Sequence, residues 1–195
     1  ILKTLDHDFV SHSDGMVIPH GLYDLRRNMG HITLGRSHDT SEFSCDCFFN
    51  WWRRYGMRAY PNASEILLFC DCGGSNNYRH HIFKEDLQRL VNRIEIPIRI
   101  AHYPPYCSKY NPIEHRLFPH VTRACQGIVF QTLEIIQQFI RKTCTRTGLR
   151  VTLNVLDREY KTERKATPEF LEAYPILFDE YLTDLNYTAV PYAYM

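Results

Sequence analysis

Runs of apolar and polar positions divide the chain into short segments. His20–Leu25 and His31–Gly35 are strand-like runs. Between them Arg26-Arg27-Asn28-Met29-Gly30 places Asn and Gly, which tolerate positive φ, so a hairpin is predicted. Asp39-Thr40-Ser41-Glu42 has capping-box spacing with Asp39 as the N-cap. Phe43, Cys47, Trp51 and Tyr55 follow at intervals of four, the apolar stripe of a helix, and Gly56 is its expected stop.

Glu65–Cys70 is nearly continuous in apolar residues, which predicts a strand buried on both faces and ending at Asp71. The loop Cys72-Gly73-Gly74-Ser75-Asn76 leads to a helix whose inner face carries Ile82, Phe83, Leu87, Leu90, Val91 and Ile94. Ile96–Tyr103 reads as a strand. A proline-rich loop follows, and Asn111-Pro112-Ile113-Glu114 opens a helix. Thr132–Thr147 reads as a helix with Gly148 at its end, and Leu149–Leu156 as a last strand. Thr167-Pro168 is a short helix start, and the aromatic tail after Leu177 matches no pattern. This order is that of a mixed α/β fold.

Composition narrows the class. The 195 residues are 44% hydrophobic and 13% aromatic, enough for a packed core. The formal net charge of +1 gives no global signal for nucleic acid, so such a role has to rest on local patches. No apolar run reaches the roughly 18 residues of a membrane span. Ile1-Leu2-Lys3-Thr4 has neither an initiator Met nor the look of a signal peptide, which predicts a chain that begins inside a longer gene. Seven cysteines without a secretory signal predict reduced thiols and a cytoplasmic location.

Two carboxylates stand out. Asp71 closes a predicted strand, the edge at which open α/β sheets bind ligands, although an Asp before Gly-Gly also makes a turn. Glu114 lies three residues after Asn111, as in a capping box. Taken together, an acid at a strand end and an acid in the first turn of a later helix can converge. Mg²⁺ takes such hard oxygen ligands, and two ions about 4 Å apart serve phosphodiester cleavage.

Several motifs resemble those of the ISAzo-type insertion-sequence transposases. They are His7-Asp8-Phe9, Gly21-Leu22-Tyr23-Asp24-Leu25, His38-Asp39-Thr40-Ser41-Glu42-Phe43, Trp51-Trp52 and Asp71-Cys72-Gly73-Gly74-Ser75-Asn76. They continue with Ser108–Phe118, Thr145-Arg146-Thr147-Gly148-Leu149 and Asn186-Tyr187-Thr188, in the family's order over nearly the whole chain. The resemblance implies an RNase H-like mixed sheet flanked by helices, with a D-D-E triad and two Mg²⁺ or Mn²⁺ ions in the complete enzyme. It implies DNA, as transposon ends and target, for a partner, and a homo-oligomer.

By motif, Asp71 is the second acid and Glu114 the third, both metal ligands. The strand that carries the first acid, central in the sheet, is expected to be missing. Asp8 and Asp24 sit in motifs that match positions outside the triad. Residues 1–165 are then the N-terminally truncated catalytic domain and 166–195 its C-terminal extension. The implied activity is two-metal-ion strand cleavage and transfer; the chain alone is expected to be inactive. The alternative is an inactive remnant or reused binding domain.

Weaker signals remain. Pro119, about two turns into the Glu114 helix, would cost about 3 kcal/mol at an interior site, which points to relaxed selection or to a short helix. Zinc on Cys70, Cys72, His80 and His81 is conceivable, but the cysteine spacing is poor for it, and Cys45 and Cys47 read better as buried thiols. Arg141, Lys142, Arg146 and Arg150, with Lys161, Arg164 and Lys165, form basic clusters suited to phosphate contacts.

Overall fold

The computed structural model describes residues 16–194; His7-Asp8-Phe9, and with it Asp8, lies outside them. The chain divides into two compact units. One comprises the described residues up to Ser37 together with Pro112–Glu159, and the other His38–Asn111 with Tyr160 onward.

The first unit starts with the predicted hairpin, β1 (Ile18–Asp24) and β2 (Met29–Gly35). They pair antiparallel from Ile18↔Gly35 to Asp24↔Met29, and Asn28 takes the positive φ of 52° that the turn needs. β5 (Arg150–Leu156) adds to β2 in parallel, giving a three-stranded sheet in the order β1-β2-β5. Three helices complete the unit: α4 (Pro112–Arg116), α5 (Phe118–Cys125) and α6 (Leu133–Arg141). Ile32, Leu34, Leu117, Ile140 and Leu149 form a wholly apolar core. Gly30 permits this packing, because a Cβ there would sit 2.3 Å from Leu117 Cδ1.

Pro119 is accommodated as expected of a short helix. α4 ends at Arg116 and Pro119 stands in the first turn of α5, where a missing N–H costs nothing. α6 is shorter than its pattern. Thr132 caps it, its hydroxyl accepting from Ile135 N, but the helix ends at Arg141. Residues 143–149 instead form a turn in which Leu149 N donates to Thr145 Oγ1 at 3.1 Å.

In the second unit the four-stranded sheet has the order β3-β4-β7-β6. β3 (Ile66–Cys70) and β4 (Ile98–His102) run parallel, while β7 (Asn186–Ala189) is antiparallel to β4 and to β6 (Ile176–Phe178). The unplaced aromatic tail thus supplies two strands. Helix α1 (Ser41–Trp51) is capped by Thr40, not Asp39: Thr40 Oγ1 accepts from Phe43 N at 3.1 Å. Gly56 does not stop it. A π turn (Trp52–Gly56) carries the helix into α2 (Met57–Ala59), with the Trp52 ring lying where a side chain at 56 would be.

The remaining helices of this unit are α3 (His81–Ile94) and α7 (Pro168–Ala173), the latter capped by Thr167. β3 departs from the expected burial on both faces. It is an edge strand among the described residues, and Leu67 and Phe69 are 53% and 41% exposed. A continuous apolar run cannot by itself distinguish a central strand from an edge strand. Both units are mixed α/β, as read from the sequence. Among the described residues no helix is long and apolar enough to cross a membrane.

Candidate active site

Asp71 follows β3 directly and is exposed, at the carboxyl end of a strand as its sequence context required. Its backbone is tied to the end of β4 over three consecutive residues. Tyr103 N donates to Cys70 O at 2.8 Å, His102 Nδ1 bonds Asp71 O at 2.8 Å, and the Cys72 thiol donates to Tyr103 O at 2.8 Å. His102 is buried, and its Nε2 lies 2.8 Å from the buried Tyr187 hydroxyl.

Burial lowers the His102 pKa, which keeps the ring neutral. A carbonyl can only accept, so Nδ1 carries the proton and Nε2 accepts from Tyr187. The Lys84 ammonium donates to Tyr78 O and stands 4.9 Å from the centre of the Tyr187 ring. After Asp71, Gly74 takes φ +60 in a turn of 3₁₀ helix whose Asn76 accepts from the Ser44 hydroxyl at 2.7 Å.

Glu114 belongs to the other unit. It sits half-buried in the first turn of α4, between Ile113, which packs on the apolar core, and Leu117, which is fully buried. Asp71 thus directly follows a strand of the second unit, and Glu114 stands in a helix of the first. His115, the next residue, is exposed.

The other candidates sort readily. Asp24 is a turn residue, its Oδ1 accepting from Arg27 N at 3.1 Å. Cys45, Cys47 and Cys70 are buried, as expected of thiols in a core, and burial pushes the Cys70 thiol up to about 12. His81 bonds the Tyr174 hydroxyl at 3.0 Å. Arg164 does not face phosphate, contrary to its sequence reading. It is engaged with Asp86 through both guanidinium nitrogens, at 3.1 and 2.9 Å, and with Glu42 at 3.0 Å. Lys161 and Lys165 remain exposed.

The sequence reading missed His102 and Tyr187 as neighbours of Asp71. Their signals were a His closing a strand and the Asn186-Tyr187-Thr188 motif, which was noted without a role.

The donor chemistry of Asp71 and Glu114 suits a hard divalent ion. The donor number falls short: among the described residues no group of three or more His, Cys, Asp or Glu is placed to hold a metal. Cys70, Cys72, His80 and His81 likewise do not assemble into a site for zinc.

Comparison with curated proteins gives no match, nor does comparison with solved structures. A family model does match. It is described as the Rhodopirellula transposase DDE domain, and it covers residues 2–191. With the match spanning almost the whole chain, the chain belongs to this family of DDE transposase domains.

Proposed function

We propose that the chain is the catalytic domain of a DNA transposase with an RNase H-like fold, in which Asp71 and Glu114 act together as the second and third acids of the triad. The observation that carries this is the family match over residues 2–191, with both acids inside it. The exposure of Asp71 at the end of β3 and the anchoring of its backbone support the role. In the complete enzyme these carboxylates would bind Mg²⁺ or Mn²⁺, which supply the Lewis acidity for cutting a phosphodiester and joining the freed end to target DNA. The partners are then transposon ends and target DNA, held by a homo-oligomer.

Among the described residues, β3 pairs with a strand on one edge only. We assign its other edge to a strand ending in the first acid. The second reading is an inactive remnant, or a domain reused for binding. Its support is that the quoted motifs account for two acids of three.

The test has two parts. The first is the sequence encoded upstream of Ile1, where a strand ending in Asp is expected. The second is cleavage of DNA carrying the element's ends. The 195-residue chain should give none with Mg²⁺ or Mn²⁺, and the longer product should cut, losing activity in Asp71→Asn and Glu114→Gln. Cleavage by the longer product that survives either substitution overturns the assignment. Metal-dependent nicking by the short chain, abolished by Asp71→Ala, overturns the missing acid.

A further inference from the structure

One end of the first unit's sheet gathers cations. β1 ends and β2 begins there, with Arg26 and Arg27 exposed in the connecting turn. Arg150, the first residue of β5, pairs with Met29 in the register of the sheet, and the Cys144↔Arg150 bridge folds the preceding turn back on it. Asn28 Nδ2 donates to Thr147 O at 3.1 Å, which ties that turn, with the exposed Arg146, to the hairpin. Arg141 and Lys142, at the end of α6, lead into the same turn and are exposed.

The opposite end of the sheet is different. There Arg36 pairs with Asp157 at 3.3 Å, and Glu134 feels the Arg36 charge. Among the described residues none of the six cations at the first end forms an ion pair. Asp24 is the single acid in the segments that carry them, and its carboxylate accepts from the Arg27 amide. A chain of net charge +1 thus gathers six cations at one end of this sheet without an ion pair to any of them among the described residues.

We propose that this end of the sheet, with Arg26, Arg27, Arg146 and Arg150 as its contacts, binds the phosphodiester backbone of duplex DNA. The proposal rests on the reading of the chain as a DNA transposase domain and adds where in the first unit the duplex is held. The guanidinium groups come from two separate turns tied together through Asn28, an arrangement that suits successive phosphates better than a single anion. The carboxylate pair proposed for catalysis takes no part in it. Contacts of this kind position the duplex and carry no sequence preference.

The experiment is binding of the 195-residue chain to labelled duplexes of unrelated sequence across a NaCl series. Each phosphate contact contributes a slope of about −0.9 to log K against log salt. The R26Q/R27Q/R146Q/R150Q variant, checked for folding by circular dichroism, should bind every duplex more weakly, its slope shallower by about 3 to 4. R36Q/R99Q, which removes cations already paired with Asp157 and Asp179, should leave the slope unchanged.

An unaltered slope in the fourfold variant overturns the proposal while DNA binding stands. A loss confined to one sequence also overturns it, since that is base recognition. If the parent chain shows no salt-dependent binding, this site falls and the Asp71–Glu114 assignment is left to its own cleavage test.

Discussion

The two units bury different chemistry. The first closes on aliphatic side chains, Ile32, Leu34, Leu117, Ile140 and Leu149, with His31 bonded to Thr152 Oγ1 at 2.7 Å beside them. The second buries ions. Asp86 and Glu85 of α3 are 3% and 4% exposed and are met by Arg164, Arg89, the Ser41 hydroxyl and the Thr167 backbone. Asp46 of α1 is held by Arg93 at 2.9 Å and the Tyr160 hydroxyl at 3.1 Å. Aliphatic packing tolerates exchange of side chains of like volume. A buried carboxylate tolerates no loss of its partner, because the charge left behind stays desolvated. Helix positions in the second unit are therefore fixed by directional bonds, which suits the unit that carries Asp71.

The contrast is broken most strongly at Arg164. Arg164→Met keeps most of the volume but leaves Asp86 with the Ser41 hydroxyl and the half-exposed Arg89. The expected loss is about 3–5 kcal/mol. Urea unfolding measures it, and amide exchange should rise in α1 and α3 while β1 and β2 stay protected. A loss under about 1 kcal/mol would class Arg164 with surface pairs.

His31, the buried histidine among the described residues of the first unit, gives the next effect. Desolvation lowers the His31 pKa from 6.5 to about 4, with Asp24 partly opposing and Arg27 assisting. Below pH 6.5 the unfolded chain takes up a proton that the folded chain refuses until about pH 4. Stability therefore falls as pH drops through this window and levels off below it, by up to about 3 kcal/mol. In His31→Gln, urea midpoints between pH 7 and 4 should lose that part of the slope. A midpoint profile parallel to the parent's would show that His31 titrates normally.

Legibility in the sequence followed locality. The β1–β2 hairpin was visible because Asn28 and the directly flanking runs specify it locally, and Thr132 and Thr167 announced their helices. Asp71's place at a strand end was visible through the apolar run Glu65–Cys70 that precedes it. Long-range pairing was not. Nothing near Ile66–Cys70 shows that its far edge lacks a strand among the described residues, and nothing near Asn186 shows that it pairs with β4. Arg164 shows its charge in the sequence, but its partners lie 78 and 122 residues away. Thr143, Cys144 and Thr145 are weak helix formers, and the turn bonded through Thr145 sets the end of α6.

The smallest effect sharpens the comparison most, because it separates stability from order at Asp71. Tyr187→Phe removes only the hydroxyl that donates to His102 Nε2, and leaves the ring in its place against Phe178 and Lys84. A lost neutral hydrogen bond costs about 1 kcal/mol, so the fold should persist. What should change is the tautomer preference of His102. With the Tyr187 hydroxyl gone, Nε2 lacks its donor and the proton is less firmly held on Nδ1, where it serves the Asp71 carbonyl. Ring nitrogen shifts of His102 should move away from the Nδ1–H form, and the amide of Tyr103, bonded to Cys70 O, should exchange faster. Exchange in α1, held by Asp46 and Asp86, should stay as in the parent. If the loss of the hydroxyl loosens α1 as much as the end of β3, Tyr187 is a general core residue and His102 has no particular hold on Asp71.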